Sequence, residues 1–306
     1  MREGIRQLSR AFSPGAPTEV GSVTDDMVAQ VPVRIYRPTA QGAVPTVVFF
    51  HGGGWTTGDV DTHDGATRRM CRDVEAVVVS VDYRLTPEHP FPAAFDGWLA
   101  VAQYVANQAA DFGAGPLGVA GDSAGGNLAA SVALALRDEG RPLAAQLLAY
   151  PAIDLSGQDD YPSLIENADV PGLTRSDFEQ CVARYLAGSQ AGTGFPASPI
   201  LAKDHRGVAP AVIRVAGLDP IRDQGLAYAD ALTAAGVPVR THTYPGPIHS
   251  FLNFDAVVPA AGDRRPTARR IPRPPPPLTA GLPVLSRVAD RPARIRLWRS
   301  GARRCC

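Results

Sequence analysis

Short apolar runs set at intervals along the chain constrain its fold most. Residues 46–50 and 76–81 are nearly continuous apolar stretches, and 117–120, 145–150 and 211–216 repeat the pattern. A strand with one wet face alternates polar and apolar residues, whereas a run apolar on both faces belongs inside a parallel sheet. Residues 31–36 alternate, as a half-exposed strand does, and follow a segment at 19–29; residues 239–244 form a last, more polar run. Helical stretches separate these runs. Phe95, Trp98, Leu99, Ala102 and Val105 recur at helical spacing, 124–136 is Ala-rich and apolar nearly all round, and 223–235 stops at Gly236 and Pro238. Strands alternating with helices predict an α/β fold: a mostly parallel sheet of about eight strands, helices on both faces, two antiparallel strands at its start.

Two regions depart from this rhythm. Residues 152–208 hold no buried run but do hold a helix candidate at 175–185, so they read as a helical cap inserted between core strands. From Pro259 onward the composition changes. The formal net charge is zero, yet residues 262–306 carry twelve arginines against two acids, a net of +10, leaving −10 for residues 1–261. Eight prolines fall in that stretch, four of them consecutive. The chain therefore divides into a short N-terminal segment (1–18), a folded domain (19–261) and an Arg/Pro-rich tail (262–306) expected to lie outside the folded unit. With only Trp298 among its arginines, the tail lacks the aromatic interleaving of a nucleic-acid-stacking surface, and no nucleic-acid partner is expected. No apolar run reaches membrane-spanning length, and residues 1–12 lack the apolar core of a signal peptide. Cys71 and Cys181 stand far apart in sequence and read as free thiols, consistent with a cytoplasmic protein.

Three motifs carry chemistry. Gly121-Asp122-Ser123-Ala124-Gly125 fits G-x-S-x-G between a strand and a helix, the sharp turn that exposes a nucleophilic serine. His51-Gly52-Gly53-Gly54-Trp55 follows the strand at 46–50, where glycines let backbone amides approach an oxyanion. Ser123 then needs a base and the base an orienting acid. His249 lies in the loop after the last strand, while His242 lies within that strand and reads as structural. Asp219 follows the run at 211–216 at the same sheet edge; Asp223, one helical turn later, and Asp154 compete with it. The order Ser, Asp, His suits a nucleophile elbow on such a sheet. Gly113-Ala114-Gly115-Pro116-Leu117-Gly118 matches G-x-G-x-x-G but precedes a strand instead of following one, so it does not mark a dinucleotide site.

The chain resembles the hormone-sensitive-lipase-like esterases, the bacterial family IV carboxylesterases. The likeness rests on HGGGW (51–55), DYRLTPEHPFPAA (82–94), GDSAGGNLA (121–129), YPSLIENAD (161–169), ASPILA (197–202), AGLDPIRDQG (216–225) and PIHSF (247–251). The resemblance implies an α/β-hydrolase fold. It gives Ser123, Asp219 and His249 the triad roles and makes Gly53, Gly54 and Ala124 the oxyanion donors, with His51 and Gly52 shaping their loop. It implies hydrolysis of small short- to medium-chain acyl esters through an acyl-enzyme, with no cofactor or metal required. Relatives carry a longer helical segment before the first strand and an amphipathic helix after the histidine loop; here those places hold about eighteen residues and the Arg/Pro-rich tail. Two alternatives stay open at this point: amidase or deacetylase action on the same triad, and a non-catalytic small-molecule binder. Monomer and homodimer are likewise both open.

Overall fold

The structure, a computed structural model, describes residues 2–12, 17–157 and 161–254. The expected tail at 262–306 lies outside the described residues. Among these residues eight strands form one sheet: β1 (Ser22–Val28), β2 (Val31–Arg37), β3 (Val44–Phe50), β4 (Val77–Val81), β5 (Ala114–Asp122), β6 (Ala145–Ala149), β7 (Ala211–Leu218) and β8 (Val239–Ile248), in the order β1-β2-β4-β3-β5-β6-β7-β8. β1 and β2 form a hairpin across Ala29-Gln30, both at positive φ, and β2 runs antiparallel to β4. From β4 to β8 every pairing is parallel. This is the mostly parallel sheet expected from the doubly apolar runs.

Among the described residues seven α-helices accompany it: α1 (Arg2–Phe12), α2 (Asp64–Val74), α3 (Ala93–Asn107), α4 (Ala124–Asp138), α5 (Ser163–Glu166), α6 (Arg175–Leu186) and α7 (Arg222–Ala234). Successive strand residues point to opposite faces, and the core divides accordingly. Val48, Phe50, Val119, Leu148, Ile213 and Val215 join the buried residues of α3, α4 and α7. Val47, Phe49, Val78 and Ala120 turn the other way, toward Cys71 and Val74 of α2. Phe50 stacks on Trp98 of α3 with ring centroids 4.2 Å apart. The described residues of 152–208 contain α5, α6 and short 3-10 turns but no strand. A capping box starts α6, Thr174 accepting from the Asp177 amide while Asp177 accepts from that of Thr174.

Two features differ from expectation. α2 had no signal in the apolar pattern, because its buried stripe is only Thr67, Cys71 and Val74 among charged neighbours. β8 runs to Ile248 through Pro245 and Pro247. It pairs only with β7 among the described residues, so the missing proline N–H groups break no ladder on its open side.

Candidate active site

β3, β5, β7 and β8 are parallel, so their C-terminal ends open onto one edge of the sheet, and each delivers a loop of the site. β5 ends at Asp122, and Ser123 turns the chain into α4 at φ 52° and ψ −120°. A non-glycine residue takes such angles only where its surroundings enforce them. The Ser123 amide donates to Ala149 O at 2.9 Å, and its carbonyl accepts from Ala152 and Asn127. The close strand–helix approach needs the flanking glycines: a Cβ at Gly121 would strike the Gly125 carbonyl, and one at Gly125 would strike that of Phe50.

Asp219 directly follows β7 and is fully buried; His249 follows β8 and is nearly so. The Ser123 hydroxyl donates to His249 Nε2 at 2.8 Å. His249 Nδ1 donates to Asp219 Oδ2 at 2.7 Å. The second Asp219 oxygen accepts the Ile221 amide at 3.0 Å, so the carboxylate cannot swing. The Tyr150 ring lies tilted against the imidazole, ring centroids 4.9 Å apart. The competing acids are engaged elsewhere. Asp223 pairs with Arg222 at 2.7 Å and accepts the Ser163 amide; Asp154 accepts from Ser156 and the Tyr161 hydroxyl. His242 stays within β8 against Tyr244.

The glycine loop after β3 is tied down by its carbonyls. Gly52 O accepts from His51 Nδ1 at 2.8 Å. Gly53 O accepts from the amides of Thr56 and Thr57 and the Thr57 hydroxyl, and Gly54 O from the Thr56 hydroxyl. Gly53 and Gly54 sit at φ 118° and 58°, and among the described residues no acceptor takes their amides. Ala124 is the first residue of α4, where an amide has no intrahelical acceptor. His51 is wholly buried against Tyr83, and burial, with the nearby charge of His63, lowers its pKa to about 3. It is therefore neutral and serves as a donor to the loop.

Other contacts were not evident from the motifs taken singly. Asn167 donates to the backbone carbonyls of Asp219 and Gly217, and Ser163 to that of Pro220. The 161–169 motif thus shapes the acid's loop. Asn127 and Ser131 of α4 hold the 197–202 motif by donating to Ala197 O and Pro196 O. Two segments border the glycine loop from outside. Cys181 of α6 lies where a Cβ on Gly54 would fall, and Tyr185 stacks on Trp55 at 4.4 Å. Arg2 of α1 donates to Thr56 O and Thr86 O, both at 2.8 Å.

A nucleophile elbow at the C-terminal edge of a mostly parallel sheet, with histidine and acid supplied by later strands, defines the class: a hydrolase of the α/β fold. The chain belongs to the alpha/beta hydrolase fold family, whose match covers residues 47–253, in its hormone-sensitive-lipase-like branch. It is 42% identical over 273 residues to the carboxylesterase NlhH of Mycobacterium tuberculosis, covering 86% of this chain and 84% of that protein. It is 46% identical over 266 residues to the carboxylic ester hydrolase LipN of the same organism, covering 83% of this chain and 70% of that protein. Among solved structures it is similar to an esterase of Pyrobaculum calidifontis, with a TM-score of 0.82, 37% identity, and coverage of 85% of this chain and 88% of that one.

Proposed function

We propose that this protein is a serine carboxylesterase acting on small, short- to medium-chain acyl esters, with Ser123 as nucleophile, His249 as base and Asp219 as orienting acid. The observation that carries this is the hydrogen-bonded chain Ser123–His249–Asp219, together with the amides of Gly53 and Gly54, for which the described residues hold no acceptor. His249 takes the hydroxyl proton as Ser123 Oγ bonds to the ester carbonyl carbon. The oxyanion is held by the amides of Gly53, Gly54 and Ala124. On collapse the C–O bond to the alcohol breaks, and His249 returns the proton to the leaving oxygen. Water, deprotonated by His249, then cleaves the acyl-enzyme and restores Ser123.

Helix α1 and the described residues of 152–208 act as the cover of this site. Cys181 and Tyr185 of α6 pack against the glycine loop at Gly54 and Trp55. The relatives' names, carboxylesterase and carboxylic ester hydrolase, support ester over amide as the bond cleaved. The free thiols Cys71 and Cys181 favour the cytoplasm. Among the described residues no helix is long and apolar enough to cross a membrane.

The test is turnover of p-nitrophenyl acetate and butyrate by the wild type and Ser123→Ala, with a matched amide alongside. Ester cleavage by the wild type, lost in the variant at unchanged melting temperature and slower on the amide, is the expected result. Ester turnover kept by Ser123→Ala contradicts it.

A further inference from the structure

Beneath the glycine loop lies a buried polar group that the triad does not use. Asp122, the residue before the nucleophile, is buried. Its Oδ1 accepts the Gly52 amide at 2.9 Å and lies 3.3 Å from His63 Nε2. Its Oδ2 accepts from Asn253 Nδ2 at 3.3 Å, with the Tyr150 hydroxyl at 3.5 Å. His63 Nδ1 is anchored on the Thr62 hydroxyl at 3.0 Å. Gly52 lies flat on this carboxylate, since a Cβ there would come within 2.7 Å of Oδ2. One side chain thus joins the glycine loop after β3, the elbow after β5, the start of α2 and the turn after His249.

We propose that Asp122, held by His63, is a positioning residue for catalysis: by fixing the Gly52 amide it sets the direction of the Gly53 and Gly54 amides and so their grip on the oxyanion. This rests on the role given above to Gly53 and Gly54. Gly52 is one peptide unit from the first donor, so a rotation at Gly52 turns the Gly53 amide directly. Glycine dihedrals supply little resistance of their own; His51, Thr56 and Thr57 hold the loop's carbonyls, and the Gly52 amide is held from outside the loop by Asp122. A buried carboxylate supplies that restraint if it stays charged. Burial alone would raise its pKa, but His63 and the Gly52 amide hold it below the usual carboxylate range. Burial likewise opposes the imidazolium of His63, and Asp122 outweighs that and raises its pKa.

The test uses the full chain carrying Asp122→Asn, His63→Gln or His63→Leu, read by kcat, KM and two inhibitors. A trifluoromethyl ketone adds to Ser123 as an oxyanion hemiketal; the matching methyl ketone stays trigonal. Asp122→Asn is expected to lower kcat about tenfold to a hundredfold, short of deleting a donor outright, with KM within about threefold. Affinity for the trifluoromethyl ketone falls by the same factor, and that for the methyl ketone stays. His63→Gln, which keeps a donor toward Asp122, retains most of kcat; His63→Leu does not. Wild-type kcat and inhibitor preference in Asp122→Asn, or equal weakening of both ketones, overturns the proposal. If Asp122→Asn fails to fold, equal kcat in the two His63 variants overturns it. A wild type that binds both ketones alike removes the oxyanion role of the glycine loop, and this proposal with it.

Discussion

Ser123, at φ 52°, is held in its unfavourable conformation by backbone bonds to Ala149, Ala152 and Asn127. The hydroxyl therefore arrives at His249 already aimed. The acid is set apart by burial and partners. Asp219 is fully enclosed, with one oxygen on the imidazole, whereas Asp223 is spent on Arg222 and Ser163. Asp219→Asn should cut kcat/KM by about three to four orders of magnitude, because an amide can present the wrong group to Nδ1–H. Asp223→Asn should cost less than about tenfold, being far from the imidazole in the hydrogen-bond network. Equal losses, or the reverse ranking, would move the orienting role to Asp223. The two buried histidines, ring centroids 5.4 Å apart, make a second expectation. His51 is depressed to about 3 by burial, so its share of stability is present above about pH 6.5 and lost below, at about 1.4 kcal/mol per unit. His63 is raised against burial by Asp122, so its share is full below about pH 6.5 and fades as pH rises through its folded value. Urea unfolding between about pH 4 and pH 9 should show a maximum near neutrality, with the alkaline fall flattened in His63→Gln and the acid fall in His51→Gln. An unaltered profile in both variants would refute the opposed shifts. The sequence pointed to Ser123, Asp219 and His249 because each ends a strand within a spaced motif. It did not point to Asp122, His63 or Asn253, which meet only once β3, β5 and the 251–253 turn converge.

At the scale of elements, legibility followed burial. The inner strands of the parallel run were readable because side chains on both faces are mostly apolar, as in β4, where every residue is buried. α2 was not, since a helix needs only one stripe and here that stripe is only Thr67, Cys71 and Val74. The extent of β8 was hidden by prolines that only an edge strand tolerates. The strand–helix junction gives the element-level prediction. Gly125→Ala places a methyl against the backbone carbonyls of Phe50 and His51, so β3 or α4 must shift. The cost should be about 1–3 kcal/mol, a melting point lower by several degrees. Activity should fall too, because Phe50 leads into the glycine loop. Gly194→Ala is the control: extended backbone, with open space around its Cβ position, and a change within about 0.5 kcal/mol. A Gly125→Ala variant as stable as the control would show that the approach is not a constraint.

For the whole molecule, the sheet order places β3, β5 and β7 so that a glycine loop from residue 51, an elbow at 123 and an acid at 219 face one another across one edge, with β8 bringing His249 from outside. Ser123 and His249, 126 positions apart in sequence, meet there, which is why the triad could be proposed from order and spacing but the contacts that hold it could not. The most direct measurement of the central claim is labelling with a fluorophosphonate probe followed by peptide mapping. Only an activated serine beside a competent base and oxyanion donors reacts at speed with such a probe. The account predicts one probe per chain, attached to Ser123, with competition by a short-chain ester and no labelling of Ser123→Ala. Labelling at another residue, or its persistence in Ser123→Ala, would contradict it.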